Sequence, residues 1–315
     1  MRMEFSSKIF VAGHNGLVGS AIVRKLKKYG YTNILCVPQN IIDLRSQASV
    51  NAWFSYNRPE YVFLAAAKVG GINYNKTFPA DFIYDNLQIQ NNVIDSAYRN
   101  GTKKLLFLGS ACIYPKITEQ PIKEEYLLSG YLEPTNEAYA LAKIAGLKMC
   151  QMYNQQYGFN AISLMPANIY GPNDNFNIEQ CHVIPAMIRK IIDAKENNTD
   201  SITFFGDGIP KREFLHVDDL ADACVFLMNN YDDPSHINVG SSEEYSISEL
   251  AEIITNIIGF NGKITWDTAK PNGSPRRKLD NTKINNLGWS PKITLIDGIQ
   301  ETIKWYLKTG GKKDV

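Results

Sequence analysis

The sequence lacks the features that mark secreted, membrane or nucleic-acid-binding proteins. Its five cysteines are odd in number and widely spaced, with no CxxC pair, which disfavours a disulfide framework and a zinc site. Its apolar runs are short, such as residues 62–67, whereas a bilayer-spanning helix needs about 18 residues. Lysine and arginine number 33 against 32 aspartates and glutamates, so the net charge is +1 and gives no general attraction to nucleic acid.

The start of the chain likewise shows no basic stretch followed by a long apolar segment, so no signal peptide is predicted. Free cysteines without a disulfide pattern are typical of a reducing compartment. We therefore expect a cytoplasmic protein that holds no metal and binds neither membranes nor nucleic acids.

The chain has 315 residues, of which 44% are hydrophobic and 21% charged, as in an ordinary globular protein of two domains. Short apolar runs alternate with amphipathic segments. The predicted strands are 8–12, 34–37, 61–65, 105–108 and 162–165, and the predicted helices are 19–29, 81–99, 137–157, 183–195, 247–258 and 295–307. This alternation predicts an α/β fold with a doubly wound parallel sheet.

The alternation of short apolar runs and amphipathic segments ends after Pro166, where a turn-rich loop (170–177) precedes the predicted helix at 183–195. We predict a dinucleotide-binding domain over residues 1–166, with a returning segment near 211–232. Residues 167–210 and 233–315 are predicted to form a smaller α/β substrate-binding domain.

Three glycines, Gly13, Gly16 and Gly19, lie between the first predicted strand and the first predicted helix. Glycines allow a tight turn and let the backbone approach a pyrophosphate, which the helix N-terminus then binds through free N–H groups and its dipole. The spacing is GxxGxxG rather than the usual GxGxxG. The position between strand and helix nevertheless indicates a dinucleotide site rather than a structural turn.

The end of the second strand normally helps to select the nucleotide, because an acidic residue binds the ribose and an arginine accepts a 2′-phosphate. Residues 36–40 contain neither type, and Asn15 in the glycine loop is uncharged. The choice between NAD and NADP therefore stays open on these residues. Asp43 fits either an acceptor for the adenine amino group or a carboxylate that caps its own loop.

Tyr139 and Lys143 are four residues apart on a predicted helix and so share a face. A neighbouring ammonium group stabilises a phenolate, and we expect it to lower the pKa of Tyr139. Such a tyrosine can protonate a carbonyl oxygen. Ser110 follows a predicted strand, at the sheet edge where parallel-sheet enzymes bind ligands. If the chain stays extended there, Ser110 and Cys112 share a face.

Together these features resemble the extended short-chain dehydrogenase/reductase family over nearly the whole chain. Within it, the resemblance is to the branch that epimerises and reduces GDP-4-keto-6-deoxy sugars. The motifs that carry it are AAAKVGGI (65–72), PADFIYDN (79–86), KLLFLGSACIYPK (104–116), EPTNEAYALAKIAG (133–146), NIYGPNDNF (168–176), HVIPAMIRK (182–190) and REFLHVDDLADA (212–223).

The resemblance implies conversion of GDP-4-keto-6-deoxy-D-mannose to GDP-L-fucose, by inversion at C3 and C5 and then reduction at C4. Protons at C3 and C5 are acidic because both carbons flank the ketone. Cys112 and His182 match the acid/base pair of the family, with Cys112 as a base and His182 as the general acid. Tyr139 matches the proton donor for the C4 oxygen, assisted by Ser110 and Lys143.

The resemblance favours NADP(H) over NAD(H), although the arginines common in NADP-using relatives are missing at Asn15 and after the second strand. The implied cofactor-binding residues are Gly13, His14, Asn15, Gly16, Leu17, Val18, Gly19, Asp43, Leu44, Leu108, Gly109, Lys143, Pro166, Asn168, Ile169 and His182. For the GDP-sugar, the resemblance implies Lys190 and Arg212 at the diphosphate, Phe205 near the sugar or base, and Asp280 at the guanine or ribose.

Several alternatives remain at this point. A sister enzyme that makes GDP-colitose, with inversion at C5 alone, would carry nearly identical motifs. A UDP-sugar C4 epimerase would keep the tyrosine and lysine but would not need the cysteine and histidine. An NADP(H)-sensing regulator without chemistry would usually have lost Tyr139 or Lys143. The resemblance also implies a homodimer.

Overall fold

The computed structural model describes residues 2–270 and 272–311. The strands are β1 (Ile9–Ala12), β2 (Ile34–Leu35), β3 (Tyr61–Leu64), β4 (Lys104–Leu108), β5 (Ala161–Pro166), β6 (Asn168–Tyr170), β7 (Ser201–Phe205), β8 (Lys211–His216), β9 (Ile237–Val239), β10 (Glu244–Ser246), β11 (Lys263–Asp267) and β12 (Arg276–Arg277). The helices are α1 (Leu17–Lys28), α2 (Gln47–Asn57), α3 (Ile72–Thr77), α4 (Pro79–Arg99), α5 (Glu137–Tyr157), α6 (Val183–Glu196), α7 (Val217–Asn230), α8 (Ile247–Ile258), α9 (Thr282–Asn286) and α10 (Leu295–Thr309).

A parallel sheet with the order β2-β1-β3-β4-β5-β9 forms the centre of the fold. Side chains alternate across it, so that Ile9 and Val11 pack with α1 and α7 on one face, whereas Phe10 and Ala12 pack with α2, α4 and α5 on the other. Helices on both faces explain why β1, β3, β4 and β5 are buried along their length. The predicted doubly wound α/β fold is confirmed.

The rest of the chain forms a smaller α/β unit. A sheet of β10, β8 and β12, with β6 paired to β8, lies beside the parallel pair β7 and β11. Helices α6, α8 and α10 pack around it on a separate apolar cluster that includes Ile188, Phe214 and Ile254. This arrangement matches the expected second α/β unit.

Two segments in the second half of the chain contribute to the first unit. Helix α7 packs against α1, as the predicted return near 211–232 requires. Strand β9 extends the central sheet beside β5, although it falls in the segment assigned to the second domain. Its sequence is too short to give a periodic signal. The domain division itself stays a prediction.

Helix α5 lies close to β4 because Gly146 leaves room for neighbouring side chains. A Cβ atom at this position would lie 2.5 Å from the Cζ atom of Phe107 and 2.7 Å from the Oε1 atom of Gln90. This close packing brings the first two turns of α5 to the carboxyl ends of β4 and β5. Within the described residues, every helix is too short or too polar to traverse a lipid bilayer.

Candidate active site

The glycine loop has the geometry of a pyrophosphate cradle. Gly13 has φ +85°, a conformation that favours glycine, and a Cβ atom there would lie 2.8 Å from the backbone of Ala66. A Cβ atom on Gly19 would overlap the carbonyl oxygen of Gly13. Gly16 precedes α1, and no described side chain caps this helix end. The N–H groups of the first turn, which includes Leu17 and Val18, are therefore available to an anion.

The loop after β2 is organised differently from the expectation. Asp43 accepts hydrogen bonds from the backbone N–H and the side chain of Arg45, and this arginine holds the pKa of Asp43 below its usual range. Arg45 also pairs with Asp85 at 3.4 Å. The carboxylate of Asp43 is thus engaged in its own turn, which favours the capping interpretation. The carbonyl of Leu44 accepts from Asn92 and anchors the same loop.

Asn15 is exposed at the glycine loop, beside His14, and offers a direct test of nucleotide selection. We expect Asn15→Arg to lower the KM for NADPH by about tenfold, because arginine forms charge-assisted bonds to a phosphate. The KM for NADH should change little, since NADH has no 2′-phosphate. Steady-state titration with both cofactors measures this, and an equal effect on both would contradict the assignment of Asn15 to the 2′-phosphate region.

Tyr139 and Lys143 lie on one face of α5 as predicted, but their electrostatics differ from the expectation. The Nζ atom of Lys143 donates to the carbonyl of Leu108 at 2.7 Å and lies 5.7 Å from the ring centroid of Tyr139. Burial lowers the pKa of Lys143 to about 7 and, together with the nearby Cys112, raises the pKa of Tyr139. The predicted lowering of the tyrosine pKa is therefore wrong, because desolvation of the buried phenol is the largest effect on it.

The burial of Lys143 predicts a pH-dependent stability. The pKa of Lys143 is lower in the folded protein than in the unfolded chain. Burying the charged ammonium therefore destabilises the fold fully below pH 7, and this destabilisation disappears as the pH rises towards 10.4. At pH 6 we expect the free energy of unfolding of Lys143→Met to be about 2 kcal/mol higher than that of the wild type. This value allows for the loss of the hydrogen bond to Leu108. Urea unfolding at pH 6 and pH 9 measures it, and a stability difference that does not shrink at pH 9 would contradict it.

Ser110 and Cys112 follow β4 and lie beside Tyr139. The side chain of Ser110 lies close enough to the phenol of Tyr139 to influence its pKa, and the Oγ atom of Ser110 accepts from the backbone N–H of Cys112 at 3.2 Å. Residues Ala111–Ile113 form one turn of 3₁₀ helix, so the condition that the chain stays extended between Ser110 and Cys112 is not met. The turn nevertheless keeps both side chains at the same site, and the charge of Cys112 acts on Tyr139.

A small cavity of about 50 Å³ opens beside this cluster. Ser110, Cys112, Pro166 and Asn168 line it, together with Arg277. Gly109 bonds back to β5 through the carbonyl of Leu164, and the side chain of Asn168 donates to the carbonyl of Glu213, so the adjoining ends of β4 and β5 are firmly placed. The site thus lies at the carboxyl edge of the sheet, where ligands of parallel sheets bind.

His182 precedes α6 and its side chain is accessible to solvent. Desolvation by the protein atoms around it lowers the pKa of its imidazole. The preceding segment packs on Gly71, whose N–H donates to the carbonyl of Gln180 at 2.7 Å. Tyr74, on the helix that follows Gly71, contacts Phe82, and the ring of Phe82 lies 6.4 Å from that of Tyr139. His182 thus directly follows a segment that packs on Gly71, and the aromatic rings of Tyr74 and Phe82 connect the region after Gly71 to Tyr139.

Two arginines stand next to each other above the cavity. Arg212 on β8 and Arg277 on β12 are register partners, and burial together with Arg277 lowers the pKa of Arg212 to about 10. Arg277 donates to the carbonyls of Ala111 and Tyr114, and so holds the turn that carries Cys112. Adjacent cations form a site suited to a diphosphate. Arg277 could not be singled out in the sequence, because only the strand pairing shows which arginine of the basic loop faces Arg212.

Lys190 and Phe205 also come together. The Nζ atom of Lys190 lies 5.1 Å from the ring centroid of Phe205, which is 54% exposed, and the Nζ atom of Lys270 lies 5.8 Å from the same centroid. Phe205 and Lys190, both predicted to contact the GDP-sugar, thus lie together at the surface, with Lys270 beside them. Asp280 is different: its carboxylate accepts from the backbone N–H of Thr282 and closes a local turn. Ile169 lies on β6, next to Asn168. The described residues contain no cluster suited to a metal ion.

The chain belongs to the NAD dependent epimerase/dehydratase family, whose sequence profile matches residues 9–240. A putative GDP-L-fucose synthase 2 from Arabidopsis thaliana is 59% identical over 306 residues, covering 97% of this chain and 93% of that protein. A solved GDP-mannoheptose C4 reductase from Campylobacter jejuni with NADP bound is 41% identical, with a TM-score of 0.90 and coverage of 97% and 99%. A GDP-L-fucose synthetase from Naegleria fowleri bound to NADP is 31% identical, with a TM-score of 0.91 and coverage of 99% and 98%.

Proposed function

We propose that the protein is an NADPH-dependent epimerase/reductase that converts GDP-4-keto-6-deoxy-D-mannose to GDP-L-fucose. The observation that carries the proposal is the cluster of Ser110, Cys112 and Tyr139 at the carboxyl edge of the sheet. It combines a proton donor for a ketone oxygen with a thiol able to act on a neighbouring carbon. A plain C4 epimerase or a nucleotide sensor does not need the thiol.

Epimerisation requires a base and an acid on opposite faces of the sugar. The thiolate of Cys112 removes a proton from the carbon beside the ketone, so that an S–H bond forms, the C–H bond breaks and its electron pair moves to the ketone oxygen as an enolate. An imidazolium at His182 then delivers a proton to the other face of that carbon. Desolvation lowers the pKa of His182, which makes its imidazolium a stronger acid towards the enolate.

Tyr139 serves the ketone oxygen in both halves of the reaction. Its raised pKa keeps the phenol protonated, so it donates a hydrogen bond to the enolate oxygen and transfers its proton when the carbonyl is reduced. Bound NADPH supplies the hydride to C4. Ser110 holds the phenol in place, and Lys143 is positioned from Leu108 to bind the nicotinamide ribose.

The glycine loop can bind the pyrophosphate of the cofactor through the backbone N–H groups at the start of α1, which no described side chain caps. For the GDP-sugar, Arg212 and Arg277 supply adjacent cations for one diphosphate, with Lys190 as a further point charge beside Phe205. Asp280 is engaged in its own turn and is assigned no contact.

We also propose a homodimer formed through α4 and α5. These helices pack on each other and leave Tyr84, Leu141 and Met152 largely exposed. Paired with a second copy, such faces would be covered. The catalytic thiol must stay reduced, which fits a cytoplasmic location. Light scattering of the purified protein measures the assembly.

Incubation with GDP-4-keto-6-deoxy-D-mannose and either reduced cofactor, followed by NMR of the product, tests the proposed function. GDP-L-fucose, formed faster with NADPH, is expected. A C4-reduced sugar that keeps the manno configuration at C3 and C5 would contradict it, as would binding of NADPH without turnover. Inversion at C5 alone, tested with the corresponding 3-deoxy substrate, would favour the GDP-colitose alternative.

A further inference from the structure

The side chain that begins α5 is directed at the proposed base. The Nδ2 atom of Asn136 donates to the Sγ atom of Cys112 at 3.2 Å. Asn136 occupies the position before the first turn of α5, where asparagine usually accepts a hydrogen bond from a free backbone N–H of that turn. Among the described residues no such capping bond is formed. The amide is committed to the sulfur instead of to its helix.

The other end of the same amide is also unusual. The Oδ1 atom of Asn136 is buried and lacks a hydrogen-bond partner in the described part of the chain. An unsatisfied buried carbonyl costs free energy, and exchanging the two ends of the amide would leave the sulfur without its donor. The retained orientation therefore favours the contact with sulfur. Because an amide N–H donates more strongly to an anionic sulfur than to a neutral one, this contact can hold the sulfur while it acts as a base.

Asn136 also shares a helix with the reductive half of the site. Residues 136, 139 and 143 follow the spacing i, i+3 and i+7, which places Asn136, Tyr139 and Lys143 along one face of α5. One rigid helix thus holds both the donor to Cys112 and the proton donor to the ketone oxygen. Its amino-terminal dipole adds a further positive field near the sulfur.

We propose that Asn136 is a positioning residue that stabilises the Cys112 thiolate and fixes its place relative to Tyr139. The proposal rests on the proposed function, because it assigns the thiolate as the base. The other titratable groups that act on Cys112 are Tyr139 from α5 and Arg212 from β8, and Arg212 is in turn influenced by Arg277 and Glu133. None of these is altered in the test below.

Two substitutions separate this role from helix capping. Asn136→Ser keeps a good capping residue, but its side chain is shorter and withdraws the donor from the sulfur. Asn136→Asp keeps the shape but replaces the donor by a carboxylate oxygen. We expect Asn136→Ser to raise the thiol pKa of Cys112 by about one unit and Asn136→Asp by more. At neutral pH the first change corresponds to an alkylation rate that is about tenfold slower.

Gln90→Met is the matched control. Gln90 is a buried amide that donates to the carbonyl of Ala142 on α5 at 2.7 Å, and its Oε1 atom lacks a partner within the described residues. It resembles Asn136 in burial and in bonding to the α5 region but forms no described bond to Cys112. Its loss should lower the unfolding temperature and leave the thiol pKa of Cys112 unchanged.

The measurement is the pH dependence of iodoacetamide labelling, read on the tryptic peptide 105–116, in which Cys112 is the single cysteine. A pKa raised in both Asn136 variants, but not in Gln90→Met, supports the proposal. An unchanged pKa in folded Asn136→Ser overturns it. Because labelling needs no sugar, this result is independent of whether the proposed substrate is turned over.

Two further readouts complete the test. In the unaltered enzyme, the NMR signals of the side-chain amide protons of Asn136 should shift as Cys112 titrates, and this shift should be lost in Cys112→Ser. If these signals do not respond to the titration of Cys112, the proposal is overturned even if the Asn136 variants fold poorly. With the GDP-4-keto sugar, the acidic limb of deuterium exchange at C3 and C5 should move up by the shift measured in the labelling. Normal labelling shifts without any exchange would contradict the proposed function instead.

Discussion

Tyr139→Phe is expected to lower the rate of ketone reduction by about 10²–10⁴, the usual contribution of a positioned general acid. The phenol is the group that Ser110 holds at the site, and burial keeps it protonated. Phenylalanine preserves the ring that packs edge-on against Phe82, so the helix and the pocket wall should remain in place. Single-turnover loss of NADPH absorbance at saturating sugar measures the change.

Exchange at C3 and C5 provides the internal control for this variant. Loss of the phenol also removes a hydrogen bond to the enolate oxygen, so exchange should slow, but by much less than reduction. Unaltered NADPH binding would show that the fold is intact. Reduction within threefold of the wild type would contradict the role of Tyr139 as the proton donor.

Cys112→Ser should reduce epimerisation by about 10²–10³, because a serine hydroxyl is far less acidic than a thiol and leaves little anionic base at neutral pH. Reduction of the unepimerised ketone should continue, since Tyr139 and Lys143 are untouched. Serine retains an acceptor for Asn136, so the 3₁₀ turn is expected to persist. NMR of the products should then show a C4-reduced sugar without inversion.

His182→Asn should also block inversion, but with a different isotopic signature. With Cys112 intact, a proton is removed and returned on the same face, so deuterium from solvent enters the recovered sugar without inversion. In Cys112→Ser, neither exchange nor inversion should occur. Equal exchange in the two variants would contradict the separate roles, and normal epimerisation in both would exclude the pair altogether.

Most of the central sheet could be predicted from the sequence because it is built from local patterns. The first strand, the glycine loop and α1 carry their signals within twenty residues, and the bounds of α5 and α8 agree with the prediction. Helix α2 is not evident from the sequence because Val50 and Phe54 are its fully buried positions and its other positions mix polar residues with Ala, Trp and Tyr. Strand β9 has three residues, and only its pairing with β5 defines it.

The site could be predicted in composition but not in its electrostatics. Spacing predicts that Tyr139 and Lys143 share a face, whereas the pKa values depend on burial by elements distant in sequence. Arg277 becomes recognisable through the pairing of β12 with β8. Asn136 reads as an ordinary helix-starting residue until its side chain is seen at the sulfur of Cys112.

Isotopic labelling of one product molecule tests the central claim that a single cleft performs both proton exchange and reduction. The wild-type enzyme is supplied with GDP-4-keto-6-deoxy-D-mannose and NADPH deuterated at the transferred position, in D₂O. We expect GDP-L-fucose with deuterium from the cofactor at C4 and from solvent at C3 and C5. Deuterium at C4 alone, in a sugar of unchanged C3 and C5 configuration, would contradict it.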